Sequence, residues 1–277
     1  MVLGGVSAGF PNASLTAVVG ANGVGKTTLL RAMLGAVVPR AGRVVLGGRE
    51  VLRLGARERA SVLAYVPQRA EGAFGFSVRE MVAMGRYARG GGGASAVEAA
   101  LERVSLMDRA HEAFGSLSAG QQQRAVLARA LAQLDACEES NLSGKVLLAD
   151  EPVASMDAGF ALSTMSLMAE LARRGLCVVC VMHDLNLVLR TATRGLALGE
   201  VARGAGSVVV GAGEVREVVT AGAMSKLFDA RFEMLEDGGA RALVATAASG
   251  LAAGSGVGTG SGMGDREGAG RVGSGHI

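Results

Sequence analysis

The chain has 277 residues, with 28 Lys plus Arg against 25 Asp plus Glu, a net charge of +3 and a pI near 9.0. That length can bury a full core and predicts one α/β domain with an appendage, while a mild basic excess without a Lys/Arg block is only a weak argument for nucleic acid and fits a membrane-apposed surface equally well. Three cysteines cannot form a closed disulfide set, no charge precedes Lys26 as a signal peptide would need, and the longest strongly apolar run, Leu176 to Met182, has the length of a buried strand rather than a membrane span.

Taken in order, Val2 to Gly20 reads as two short strand-like pieces interrupted by the turn signal Phe10-Pro11-Asn12. The second piece runs straight into Gly20-Ala21-Asn22-Gly23-Val24-Gly25-Lys26-Thr27-Thr28, and an amphipathic run follows to Leu34. Strand, tight loop and helix thus surround the pattern G-x-x-x-x-G-K-[ST]. Its glycines let the backbone wrap closely around a phosphate, and the helix N-terminus adds N–H groups and the positive end of its dipole. Lys26 would reach the β- and γ-phosphates of a bound nucleotide, and the Thr27 hydroxyl would hold Mg²⁺. The lysines are only Lys26, Lys145 and Lys226. A chain that otherwise writes its positive charge as arginine therefore places a compact point charge where a phosphate would sit.

Arg43 to Leu46 predicts a short strand closed by Gly47-Gly48, and Arg53 to Arg59 a surface helix. The strand Val62 to Val66 delivers Pro67 and Gln68 at its carboxyl end, where ligands bind in open α/β sheets. A helix over Ser77 to Tyr87 opens with a Ser77/Glu80 capping box, Gly90 to Gly93 is a flexible break, and Ala96 to Met107 is a further amphipathic helix. Leu117-Ser118-Ala119-Gly120-Gln121-Gln122-Gln123-Arg124 then leads into a strongly helical segment, Ala125 to Leu134. Ser118 and Gln121 have capping-box spacing, so this helix begins at the serine and its N-terminus is a candidate second phosphate site.

Asp135 to Gly144 is a polar excursion. Val146 to Ala149 reads as a fully buried parallel strand that ends in Asp150 and Glu151; the first would serve a magnesium ion, and the second would face the γ-phosphate and polarise a water. Ser155-Met156-Asp157 opens a helix to Arg174, and the strand Leu176 to Met182 carries His183 at its carboxyl end, in register with Gln68 and Glu151. Cys177 and Cys180 lie three apart on that strand, point to opposite faces and read as packing residues. Leu196 to Leu198 and Ser207 to Val210 suggest two further strands, and Thr220 to Phe228 a short helix. From about Asp237 the composition turns to Gly, Ala and Ser, which predicts a disordered tail over 237–277.

From Val2 to about Leu235 these motifs, in this order, resemble the ATP-binding cassette family: Walker A at Gly20 to Thr28, the Q-loop at Gln68, an LSGGQ-like signature at Leu117 to Gln121, Walker B at Val146 to Asp150, the D-loop at Ser155 to Asp157 and the switch histidine His183. The resemblance implies a P-loop NTPase nucleotide-binding domain over 1–236, with a mainly parallel core sheet, a helical subdomain at about 69–134 and a small antiparallel β part. It implies ATP and Mg²⁺ as cofactors, Glu151, His183 and Gln68 as catalytic residues, and Thr27, Gln68 and Asp150 around the metal. Nucleotide would lie on Gly20, Ala21, Asn22, Gly23, Val24, Gly25, Lys26, Thr27 and Thr28, and Ser118, Ala119, Gly120, Gln121 and Asp157 would act in trans across a homodimer. Ala119 stands where the family's signature has its first glycine. The family also begins with one more strand and an aromatic residue that stacks on adenine, upstream of where this chain starts.

Within the family, Val66-Pro67-Gln68-Arg69, Phe76-Ser77-Val78, Met84-Gly85-Arg86 and His183-Asp184-Leu185-Asn186 resemble importers of iron-siderophores, heme and cobalamin, and Ala128 to Leu134 with the polar insert resembles the heme importer. The resemblance implies ATP hydrolysis coupled to heme import at the cytoplasmic face of the inner membrane. The partners would be separate permease subunits, received in a groove over Arg69 to Arg89, and indirectly a periplasmic heme-binding protein. The alternatives are an iron-siderophore or cobalamin importer, a non-transport cassette ATPase, or a nucleotide-binding remnant without turnover.

Overall fold

The computed structural model describes residues 3–69, 75–200, 206–238 and 240–246. The apolar run ahead of the glycine loop forms β1 (Ser14–Val19), buried along its whole length. The loop turns the chain into α1 (Lys26–Leu34), which stops at Gly35 in the left-handed region, its N–H on the carbonyls of the last turn. A small hairpin of β2 (Val45–Leu46) and β3 (Arg49–Glu50) turns on Gly47 and Gly48, both at positive φ as a two-residue primed turn demands. Next come α2 (Ala56–Val62) and β4 (Leu63–Val66).

Three helices then pack against one another: α3 (Val78–Ala83), opened by the Ser77/Glu80 capping box, α4 (Ala94–Arg103), and α5 (Ala119–Gln133), opened by the Ser118/Gln121 box. The chain returns to the sheet through β5 (Val146–Asp150), α6 (Ala158–Arg173), β6 (Cys177–Val181), α7 (Leu185–Thr191), β7 (Arg194–Glu200) and β8 (Ser207–Glu214). It closes with α8 (Val215–Val218), α9 (Ala221–Phe228) and a hairpin of β9 (Arg231–Asp237) and β10 (Ala240–Thr246).

The six-stranded sheet has the order β4-β5-β6-β1-β7-β8, parallel except for β8, which runs antiparallel to β7. Near-continuous apolar strands are what a parallel sheet covered on both faces requires. On one face Val18, Leu148 and Cys177 pack with Leu29 and Leu30 of α1; on the other Ala17, Leu147 and Cys180 pack with Leu131 of α5 and Met165 of α6. The two cysteines thus point to opposite faces, and burial pushes the Cys177 thiol up to about 11. The register sets Val66 beside Ala149, Asp150 beside Val181 and Val18 beside Val181. The carboxyl ends of β4, β5, β6 and β1 therefore share one edge, and so do the residues that follow them.

Three expectations change. Of the two N-terminal strand pieces only Ser14–Val19 forms; Leu3 makes a single bridge to Ser207, and Gly5 at φ 61 breaks the extended path. The helix expected to reach Tyr87 is α-helical to Ala83 and tightens into a 3₁₀ segment over Met84–Arg89. There Gly85 lies so close to the Arg129 carbonyl of α5 that a Cβ would not fit, and Arg86 and Arg89 both pair with Asp135 just past the end of α5. The domain boundary placed at 236 moves to Thr246, because β10 is held as a strand. Leu243 is buried, and its backbone exchanges two hydrogen bonds with the Asn186 amide of α7, at 2.7 and 3.1 Å. The rest of the expected tail, 247–277, and residues 70–74 of the expected permease groove lie outside the described residues.

Candidate active site

The glycine loop is shaped by close approach and by left-handed turns. Gly20 passes the Leu198 carbonyl at a separation that leaves no room for a Cβ, and Gly23 and Gly25 sit at φ 83 and 92. Gly25 is also the N-cap of α1, which has no side-chain cap, so the orphan N–H groups of the first turn and the helix dipole are directed at the loop's interior. Lys26 is buried there, and its Nζ donates to the carbonyls of Gly20 at 2.8 Å and Ala21 at 2.9 Å. Burial pushes its ammonium below the ordinary lysine value, while the carboxylates of Glu151 and Asp150 pull it back up.

Asp150 ends β5 and is buried. Its Oδ1 has no hydrogen-bond partner, and its Oδ2 accepts a long 3.4 Å contact from the Tyr65 hydroxyl. A buried, unpaired carboxylate oxygen is costly unless something charged or donating meets it. Thr27, Tyr65, Gln68 and Asp150 line one cavity of about 320 Å³. The oxygens of Asp150, Thr27 and Gln68 are hard donors of the kind Mg²⁺ takes alongside water, so the residues present fit that ion.

Glu151, the next residue, sits in the left-handed region at φ 47 and donates its N–H to the Val181 carbonyl at 3.2 Å. Its carboxylate is gripped from both sides: Gln68 Nε2 donates to Oε2 at 2.7 Å, and His183 Nε2 lies 2.6 Å from Oε1. Since the carboxylate acts as acceptor, the imidazole proton belongs on Nε2. Three strand ends thus meet at one carboxylate beside a buried lysine. This combination suits orienting and deprotonating a water next to a phosphate.

The signature segment is built otherwise. Ser118 is exposed; its Oγ accepts from Gln121 N–H at 3.3 Å, and Gln121 Oε1 accepts from Ser118 N–H at 2.9 Å. Asp157 caps α6 by accepting from Phe160 N–H at 2.9 Å. A Cβ on Gly120 would stand 2.8 Å from the Ser155 carbonyl, whereas the Ala119 side chain is exposed. Gly120 is required by the close passage of the Ser155–Asp157 loop, and the alanine beside it is tolerated.

Three residues of the network were not singled out from the sequence: Tyr65, Gln122 and Gln123. Gln122 Nε2 donates to the carbonyls of Leu117 at 3.1 Å and Phe114 at 3.3 Å, and Gln123 Nε2 donates to the Pro67 carbonyl at 2.7 Å. Capping-box spacing identifies Gln121, but no local spacing tells which glutamine reaches a carbonyl 56 residues away.

Residues 3–154, more than half of the chain, match the family model described as ABC transporter. The chain belongs to this family. It is 40% identical over 189 residues to the hemin import ATP-binding protein HmuV of Rhizobium meliloti, covering 67% of this chain and 72% of that protein. To the protein of the same name from Gloeobacter violaceus it is 43% identical over 183 residues, covering 64% and 66%. It is 36% identical over 251 residues to the cobalamin import ATP-binding protein BtuD of Halobacterium salinarum, covering 88% of this chain and 59% of that protein. Among solved structures, an inward-facing metal-chelate type ABC transporter superposes with a TM-score of 0.65 at 25% identity, covering 85% of this chain and 88% of that one. A nucleotide-free ATP-binding cassette superposes at 0.64 with 21% identity and shares the fold. The α/β architecture expected from the motifs is therefore that of the ABC nucleotide-binding domain, with its mainly parallel core sheet and small antiparallel parts. No helix among the described residues is long and apolar enough to cross a membrane.

Proposed function

We propose that this chain is the ATP-hydrolysing subunit of an ABC importer for heme, working as a dimer at the cytoplasmic face of the inner membrane. A separate permease would form the pathway, and a periplasmic heme-binding protein would feed it. The observation that carries the ATPase reading is the Glu151 carboxylate held between Gln68 and His183 beside the loop that buries Lys26. ATP phosphates would take the uncapped N–H groups of α1, and Lys26 would exchange its two loop carbonyls for phosphate oxygens. Bound Mg²⁺, held by Thr27, Asp150 and Gln68, would neutralise charge on the β- and γ-phosphates. Glu151 would accept the proton of the attacking water while Gln68 and His183 keep its carboxylate aimed. Ser118 uses its Oγ as an acceptor within its own helix end and keeps its O–H to donate. With Ala119, Gly120, Gln121 and Asp157 it would complete the site on the other copy.

The names of the hemin import relatives support heme, and the cobalamin relative, which spans more of this chain, supports a corrinoid as the second reading. Reconstitution with permease subunits and a binding protein loaded with each candidate separates them. Heme-loaded binding protein should stimulate ATP hydrolysis and cobalamin-loaded protein should not. Stimulation by a corrinoid or a ferric siderophore alone would replace heme, and an ATPase indifferent to any loaded binding protein would overturn the importer reading.

A further inference from the structure

The consecutive glutamines Gln121, Gln122 and Gln123 leave the start of α5 in three directions. Gln121 closes the capping box on Ser118, Gln122 secures the Phe114–Leu117 turn that leads into the helix, and Gln123 reaches out of the helix to β4. Gln123 is 3% exposed, and its Nε2 sits 2.7 Å from the carbonyl of Pro67, the residue immediately before Gln68. Burying an amide is costly without a partner, and here the partner is the backbone of the loop whose next side chain holds Glu151 Oε2 at 2.7 Å. An unbroken path of covalent and hydrogen bonds runs from the Ser118 helix end through Gln123, Pro67 and Gln68 to Glu151.

We infer that Gln123 is a positioning residue: it pins the Pro67–Gln68 backbone to α5, so that Gln68 faces Glu151 only while the Ser118 end of the helix is correctly placed. Gln123 touches neither phosphate nor metal. It acts through Gln68, and engagement of Ser118 by nucleotide is thereby transmitted to the carboxylate that handles water. This inference rests on the ATPase reading of Glu151 given above.

The test uses the full chain with Gln123→Met, which keeps length and volume but cannot donate, and Gln123→Glu, which puts an acceptor against the Pro67 carbonyl. Loss of one hydrogen bond on the path to the transition state should lower kcat for ATP hydrolysis about tenfold, with ATP affinity within about twofold of the parent. Hydrogen exchange of the peptide spanning 63–69 should become faster, and combining either change with Gln68→Ala should be no worse than Gln68→Ala alone. A purely structural role would instead lower melting temperature and leave the kcat of folded protein unchanged. Parental kcat and exchange in folded Gln123→Met, or multiplying effects, would overturn the inference. If Gln123→Met does not fold, the same readouts are taken on Gln123→Glu and on Gln123→Asn, whose shorter amide falls short of Pro67. Turnover that survives Glu151→Gln would overturn the role given to Glu151, on which the inference rests; turnover that needs Glu151 but ignores Gln123 would overturn the inference alone.

Discussion

Two helix N-termini belong to the proposed site, and they are made on opposite plans. α1 starts from Gly25 with no side-chain cap, its first-turn N–H groups open to an anion and a buried lysine folded across them. α5 starts from Ser118 with a complete capping box, at the surface. An uncapped N-terminus is costly until a ligand arrives, so on the proposed reading α1 would hold a phosphate itself. A capped N-terminus is stable in water, so on the same reading α5 would stay at the surface until a phosphate is brought by another molecule.

The largest expected break of this contrast comes from the carboxylate served by the α1 end. Glu151→Gln should lower kcat by about 10²–10⁴-fold, the range for a lost general base, while ATP still binds and dimers accumulate. Near-parental turnover would remove Glu151 from the chemistry. Lys26→Ala should weaken ATP binding by about ten- to a hundredfold, measured by fluorescent-nucleotide titration, from loss of charged hydrogen bonds to phosphate. Mixing it with Ser118→Arg sharpens the comparison: the heterodimer has one site with both defects and one with neither. ATP-dependent dimers should form in the mixture and not with either variant alone; a mixture no better than its parts would place the α5 end outside the partner's nucleotide site.

Smaller effects probe how each end is built. Gly120→Ala pushes a Cβ toward the Ser155 carbonyl and should destabilise by about 1–3 kcal/mol, as overpacking does. Ala119→Gly should cost only the helix-propensity difference, about 0.5–1 kcal/mol. Equal urea midpoints for these two variants would contradict the close passage. Ser118→Ala should lower stability by about 1 kcal/mol through loss of the cap, with no comparable stability cost for Thr28→Ala at the uncapped end of α1.

Much of the site was legible because its chemistry is local. The glycine loop, the Ser118/Gln121 box and the acidic end of β5 are each read from adjacent residues, and the strand ends that carry Gln68, Glu151 and His183 follow from apolar runs with a polar stop. What escaped was either averaged away or non-local. β10 was hidden because Ala240 to Thr246 shares its composition with the tail, although Leu243 is buried and Asn186 of α7 anchors it.

The sequence by itself determined the order of the motifs, the helix caps and the alternation of strand and helix, because these depend on side-chain chemistry and chain stiffness within a few residues. Only the tertiary structure decided that Gln68 and His183 both grip Glu151, that Gly120 and not Ala119 must lack a side chain, and that Gln123 spends its amide on Pro67. Those facts depend on strand register and on the distance between backbones remote in the chain, and packing sets both.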